Sequence, residues 1–137
     1  MICNGTTPGV LGQAARGERV GTWFSPRPTS NSPYKRWLRD AKASLGSVFV
    51  DGGAAEKLRD GGASLLAVGV QRVEGRFDAG DAVTVRALKD DALIGKGISN
   101  FSSRELQQVK GMRSEEVARL LEGADEEVIH RDRFVLL

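Results

Sequence analysis

Short apolar runs separated by glycine-rich turns occupy the chain from residue 44 onward. Where apolar and polar positions alternate, as in Val83-Thr84-Val85-Arg86, the pattern is typical of a half-buried strand. A longer apolar run is bent by Gly69, which indicates a bulge or a close backbone approach. The six predicted strands cover residues 47–50, 65–73, 83–86, 93–99, 127–130 and 133–137.

Three short helices are predicted among these strands, at residues 54–60, 102–111 and 114–123. Asp51 is placed to cap the first helix, and Gly61-Gly62 can close it in the left-handed conformation. Ser102 and Glu105 have the spacing of a capping box. A mainly β chain with short helices favours a closed or partly closed β-barrel, because closure removes sheet edges that would otherwise stay unpaired.

The first 43 residues have a different organisation. A helix is predicted from Thr7-Pro8 to Gly17, followed by an extended run at 20–24. Residues 25–33 hold three of the four prolines and no large apolar side chain, which predicts a linker over 25–43 and a domain boundary there. Trp37 lies among basic residues, so it either anchors this linker on an apolar patch or stacks on a nucleobase.

Composition limits the class of protein. A chain of 137 residues with 40% apolar and 28% charged residues corresponds to one ordinary domain plus a short segment, which excludes a multidomain enzyme. A single cysteine, Cys3, cannot form an internal disulfide, which fits a reducing compartment. No apolar run approaches the roughly 18 residues of a membrane span, and no signal peptide is recognisable. We therefore expect a cytoplasmic protein without a membrane partner.

Charge is unevenly distributed along the chain. Residues 1–42 carry seven basic side chains against Glu18 and Asp40, a balance of +5. The other 95 residues carry 13 basic and 16 acidic side chains, a balance of −3. Clustered cations supply much of the affinity for nucleic acids, so this asymmetry bears on any RNA partner.

Enzymatic motifs are weak. Residues 95–100 begin like a phosphate-binding glycine loop, but Asn100 replaces the third glycine, and a curved strand explains the same glycines. His130 is the only histidine and is predicted to be a structural, hydrogen-bonded residue. The acidic pairs lie at turns and helix starts, so no metal site is predicted. Lys57 and Arg59, followed by Gly61-Gly62-Ala63-Ser64, either hold a phosphate or stabilise a helix C-terminus.

The run Gly62-Ala63-Ser64-Leu65-Leu66-Ala67-Val68-Gly69-Val70 resembles the glycine-containing signature of PUA domains, a pseudo-barrel family. The rest of the chain is similar to the C-terminal part of bacterial glutamate 5-kinases. The matching segments are Pro8-Gly9-Val10-Leu11, Val20-Gly21-Thr22-Trp23-Phe24, Lys35-Arg36-Trp37, Asn100-Phe101-Ser102-Ser103, Ser114-Glu115-Glu116-Val117 and Val128-Ile129-His130-Arg131-Asp132. Two positions depart from the family pattern: Ala67 replaces a usual proline, and Arg133 replaces Asn or Asp.

This resemblance implies a kinase-domain remnant at 1–24 and a PUA domain at 44–137. The family phosphorylates the side-chain carboxylate of L-glutamate with ATP and Mg²⁺, the first step of proline biosynthesis. The residues that hold these groups lie upstream of Met1 in the family, so no catalytic, cofactor-binding or metal residue is carried over. We expect this chain alone to lack kinase activity and to adjoin an upstream kinase domain in a homo-oligomeric enzyme.

The resemblance also implies an RNA-binding surface. PUA domains of RNA-modifying enzymes hold RNA with the first helix and the glycine-bearing loop, which correspond here to Lys57, Arg59, Gly62, Ala63 and Ser64. The alternative is a regulatory or oligomerisation module without RNA binding. The negative balance after residue 42 weakens the case for the RNA-binding residues, because clustered cations are what RNA binding requires.

Overall fold

The computed structural model describes residues 1–25, 32–123 and 125–137, and contacts divide the chain into the units Met1–Ser30 and Asn31–Leu137. In the first unit, helix α1 spans Val10–Ala15. The predicted start at Thr7 is wrong, because the Thr7 carbonyl accepts the Val10 N–H (3.3 Å) in a turn and the helix starts after Gly9 (φ 76°). Within residues 1–25, the extended run at 20–24 pairs at Thr22 alone, in a single bridge to Ile2.

The described residues of the second unit form seven strands in a closed arrangement. The strands are β1 Ser44–Val50, β2 Leu65–Leu66, β3 Val70–Gly75, β4 Ala82–Ala87, β5 Leu93–Ile98, β6 Glu127–Ile129 and β7 Phe134–Leu136. Five of them form a mixed sheet in the order β3-β1-β4-β5-β7, and β2 pairs with β6 in a separate antiparallel ribbon. Because β2 leads into one edge strand, β3, and β6 leads into the other, β7, this ribbon joins both edges of the sheet. The predicted pseudo-barrel is therefore confirmed.

One core fills the inside of this barrel. Val48, Val50, Val83 and Val85 are fully buried, because β1 and β4 lie side by side at the centre of the sheet. Phe77 is packed against the bare Cα of Gly46, where an added Cβ would lie 2.5 Å from the ring. Strand faces, rather than helix faces, therefore supply most of the core.

The predicted strand 65–73 is interrupted. Residues Ala67–Gly69 form a 3-10 turn between β2 and β3. The Ala67 carbonyl accepts the N–H of Gly111 (2.8 Å), and a Cβ on Gly69 would meet Ala54 at 2.7 Å. The bend and close approach predicted at Gly69 are thus present, whereas the 3-10 turn itself depends on partners that are distant in sequence.

The three predicted helices are present. They are α3 Gly52–Asp60, α4 Ser103–Val109 and α5 Ser114–Leu120. The Asp51 carboxylate accepts the Ala54 N–H (2.8 Å), and the Ser102–Glu105 capping box has both of its hydrogen bonds. The two cap predictions are confirmed because such bonds depend only on neighbours within one turn.

Part of the predicted linker is a helix, α2, at Pro33–Asp40. Its Leu38 side chain is fully buried with Ala82, Ile98 and Val135 of the barrel. The Lys96 ammonium donates to two backbone carbonyls at the helix C-terminus, those of Arg39 (3.1 Å) and Lys42 (2.8 Å). The prediction that Trp37 is the anchor is wrong, because Leu38 takes that place. The part of the predicted linker at 26–31 lies outside the described residues.

The capping box of α4 makes stability depend on pH. The Ser102 hydroxyl and backbone N–H donate to the Glu105 carboxylate (2.7 and 2.8 Å) and lower the pKa of Glu105. A lowered pKa in the folded state stabilises the protein above the unfolded-state pKa, and this contribution is lost as the pH falls. We expect the free energy of unfolding to fall less between neutral pH and about pH 3 in Glu105→Gln than in the parent chain.

Urea denaturation at a series of pH values measures this difference. Glu56→Gln is the matched control, since Glu56 is an exposed glutamate of α3 and makes no capping-box bond. An unchanged pH dependence in Glu105→Gln would contradict the prediction.

Candidate functional site

Helix α3 positions the predicted basic residues. Asp51 fixes its start, and Gly61 and Gly62 (φ 81° and 83°) turn the chain away at its end. Lys57 and Arg59 therefore lie in the last turn, where cations interact favourably with the negative end of the helix dipole. Both side chains are exposed. The helix-stabilising and phosphate-binding roles that the sequence left open are compatible at this position.

A cleft of about 410 Å³ lies between α3 and the segment 63–69. Lys57 lines it from the helix, and Ala63 and Ser64 line it from the opposite side. Exposed Leu66 and Val68 give it an apolar wall. Arg59 and Gly62 are exposed but are not among the residues that line the cleft. The structure thus brings three of the five predicted site residues into one cleft.

The backbone is bare where the chain leaves α3. An ideal Cβ at Gly61 or Gly62 would have no described atom within 4 Å. A ligand backbone can therefore approach these peptides closely, which a side chain would prevent.

The structure adds cations that sequence reasoning missed. The Ser64 hydroxyl accepts the backbone N–H of Arg131 (3.0 Å), which places Arg131 at the rim of the cleft. The bond from Gly111 to Ala67 brings the loop with exposed Lys110 and Arg113 beside the 3-10 turn. These residues are far from Lys57 in sequence, and no local motif marks them.

Acidic groups are also present. Asp51 lines the cleft, and Glu127 lies opposite Leu66 in the β2–β6 ribbon. The site is therefore of mixed charge. Binding of a polyanion there would be moderate in affinity and sensitive to salt.

His130 has the hydrogen-bonded role that was predicted. Its Nδ1 accepts the Asp132 N–H (3.2 Å), and its Nε2 lies 3.7 Å from the Glu127 carboxylate. It lines a separate open cleft of about 580 Å³ with mostly acidic neighbours. Within the described parts of the chain, no cluster of three His, Cys, Asp or Glu is arranged to hold a metal ion.

The glycines at 95 and 97 are packing residues. Both are buried in β5, and a Cβ on either would collide with β7 or with Ile129. The segment is a strand, as predicted, and its glycines are explained by close packing. Among the described helices, none is long and apolar enough to cross a membrane.

Residues 46–121, more than half of the chain, match the family described as the PUA domain. The chain belongs to the PUA domain family. The PUA match includes α3, the segment 63–69 and the loop with Lys110 and Arg113. Helix α2 and Arg131 lie outside it.

Curated relatives match over a longer range. The chain is 40% identical to the glutamate 5-kinase of Synechococcus elongatus over 138 residues, which is 99% of this chain and 37% of that kinase. It is also 40% identical to the glutamate 5-kinase of Thermoanaerobacter sp., covering 100% of this chain and 37% of that kinase. The chain thus spans a little over a third of these relatives and corresponds to their C-terminal part.

Two solved structures are similar in part. A PUA domain from Aeropyrum pernix K1, in a tartrate complex, is 30% identical, with a TM-score of 0.48 over 64% of this chain and 43% of that one. The archaeal box H/ACA sRNP Nop10-Cbf5 complex contains a chain that is 22% identical, with a TM-score of 0.43 over 65% of this chain and 26% of that one.

Proposed function

We propose that this chain is the PUA module of a cytoplasmic glutamate 5-kinase and that it binds structured RNA at the α3 cleft. The contact residues are Lys57, Arg59, Gly62, Ala63 and Ser64, joined by Arg131 at the rim. The observation that carries the proposal is a cleft that Lys57 lines, with the Arg131 backbone bonded to Ser64 at its edge and a bare pair of glycines where the chain leaves α3. Phosphate contacts need cations and accessible backbone N–H groups, and this surface offers both.

In this proposal, the phosphoryl transfer of the whole enzyme takes place in a different domain. ATP, Mg²⁺ and glutamate would be held by an upstream kinase domain, and this chain would not turn over ATP by itself. The similarity to the C-terminal part of glutamate 5-kinases supports that assignment.

The test is fluorescence anisotropy of the 137-residue chain with a labelled RNA hairpin at several salt concentrations. Lys57→Ala/Arg59→Ala is expected to weaken binding about tenfold or more, since two charge-assisted phosphate contacts are lost. The slope of log affinity against log salt should become shallower by about 2, because each lost contact removes about one released counterion.

Arg76→Ala/Arg104→Ala is the matched control. It removes two exposed cations at the other end of β3, about 20 Å from Gly69 by strand length. Equal losses in the two double variants would place the RNA elsewhere. If the parent chain binds RNA and an inert polyanion such as heparin with equal affinity, the binding is nonspecific electrostatic attraction and the proposal is wrong.

A second candidate function is docking to the upstream domain or to another copy of the chain. The first unit favours it, because Leu11, Trp23 and Phe24 are strongly exposed in a segment whose described residues form α1 and one bridge. Large exposed apolar residues of this kind are typical of an interaction surface. Light scattering that shows only monomers over a wide concentration range would exclude association between copies.

A further inference from the structure

Helix α2 carries two large aromatic side chains that are exposed and lie outside the hydrophobic core. Tyr34 and Trp37 are 42% and 45% exposed, and their ring centroids lie 5.7 Å apart at an interplanar angle of 40°. They are three positions apart in the helix, so they occupy one face. Leu38 is fully buried in the contact with the barrel, whereas neither aromatic residue is among the buried core residues.

This face is rigidly mounted. The Ser32 hydroxyl accepts the Lys35 N–H (3.3 Å) at the helix N-terminus, and the Lys96 ammonium holds carbonyls at the C-terminus. The hydrogen bonds at both ends of α2, together with the buried Leu38 side chain, hold the helix against β5 and β7. Stacking on a pre-positioned ring loses less conformational entropy than stacking on a mobile one.

The charge around the aromatic pair is positive. The segment contributes Lys35, Arg36, Arg39 and Lys42, against Asp40 as its one acidic residue. Asp40 is paired with Arg39 (2.8 Å), which leaves the other three cations outside that ion pair. Lys35 donates to the Arg131 carbonyl at 3.3 Å. Aromatic rings on a basic helix match the needs of a single strand, whose bases stack while its phosphates are neutralised.

Helix α2 is close to the α3 cleft through its Lys35 side chain. Arg131 accepts from Lys35 with its carbonyl and donates to Ser64 with its N–H. The Lys35 ammonium and the Ser64 hydroxyl are therefore at most about 11 Å apart, given the length of one residue's backbone. This distance corresponds to about three stacked nucleotides of one strand. A strand leaving the cleft can reach the helix without a long unsupported stretch.

We propose that Tyr34 and Trp37 form a stacking platform for single-stranded nucleotides that extend from the RNA bound at the α3 cleft. The proposal rests on the proposed function, and it adds a single-stranded extension to the structured RNA as the ligand. The site is built by residues outside the PUA match. It makes the chain a reader of a junction between double-stranded and single-stranded RNA.

The experiment compares a blunt RNA hairpin with the same hairpin carrying a short uridine tail at either end. The tail is expected to raise affinity about tenfold, and Trp37→Ala should remove this gain while leaving the affinity for the blunt hairpin unchanged. Trp37→Phe should restore part of the gain, because a smaller ring still stacks. Trp23→Ala is the matched control, since it removes the other of the two tryptophans.

A spectroscopic readout is independent of the hairpin. In a Trp23→Phe background, Trp37 is the sole tryptophan, and short single-stranded uridine RNA is expected to quench its fluorescence. A tail that adds no affinity, or a gain that survives Trp37→Ala, overturns the proposal. A Trp37 emission shift that follows protein concentration but not RNA also overturns it, because a second copy would then cover the face.

The two proposals fail separately. Lys57→Ala/Arg59→Ala should weaken both hairpins equally. If it does not, while the gain from the tail still requires Trp37, the cleft proposal is wrong and the stacking platform stands. If the blunt hairpin binds as proposed but the tail adds nothing, only the platform is wrong.

Discussion

Replacing Gly95 by alanine is expected to lower the free energy of unfolding by about 3 kcal/mol, at the upper end of the cost of overpacking a core. A Cβ at this position would lie 2.4 Å from the Val135 carbonyl oxygen and 2.5 Å from the Phe134 ring. One of these neighbours is backbone, so it can move away only if the β5–β7 pairing shifts. Urea denaturation followed by circular dichroism measures the loss.

Gly52→Ala is the matched control for this change. Gly52 begins α3, and no described atom lies within 4 Å of an ideal Cβ there. Alanine should be neutral there or stabilise the helix by up to about 1 kcal/mol. Equal stability of the two variants would show that β5 and β7 can move apart at little energetic cost, and would contradict the packing role of Gly95.

Replacing Leu38 by alanine is expected to cost about 2–4 kcal/mol of folding free energy. Leu38 is fully buried against Ala82, Ile98 and Val135, and alanine would leave a cavity between α2 and the barrel. We expect one cooperative transition with a lower urea midpoint, since the helix and barrel share this contact. The same variant should also weaken binding of the single-stranded tail, because the platform loses its anchor.

Leu120→Ala is the matched control, because Leu120 is 53% exposed at the end of α5. Its cost should stay within about 0.5 kcal/mol. A similarly small cost for Leu38→Ala would mean that α2 contributes little to the stability of the barrel, which would also remove the structural basis of a rigid platform.

Part of the candidate site follows from the sequence. Lys57 and Arg59 could be placed on one helix because its cap, Asp51, and its terminating glycines are all local signals. Ser64 could be placed after the glycine exit for the same reason. Their neighbours could not be predicted. Arg131 reaches the cleft only through a hydrogen bond to Ser64, across 67 positions of sequence.

The linker prediction shows how composition alone is misleading. Prolines and small polar residues dominate 25–33, and the basic stretch that follows contains too few apolar residues for an independent helix core. Helix α2 forms because one leucine and the carbonyls at its end find partners on the barrel. A short helix of this kind depends on tertiary contacts, because its nucleation is costly in isolation. From the sequence, Trp37 was therefore one candidate for the anchor, whereas in the structure it is Leu38 that packs against the barrel.

The amino-acid sequence by itself determined the strand periods, the caps of α3 and α4, the strand through Gly95 and Gly97, and the resemblance to PUA domains. These features depend on side-chain alternation and on bonds within a few residues. Tertiary structure alone decided the 3-10 turn at Ala67–Gly69, the pairing of β2 with β6, and the burial of Leu38 while Trp37 stays exposed. Each of these features depends on residues that are distant in sequence and come into contact only when the chain has folded.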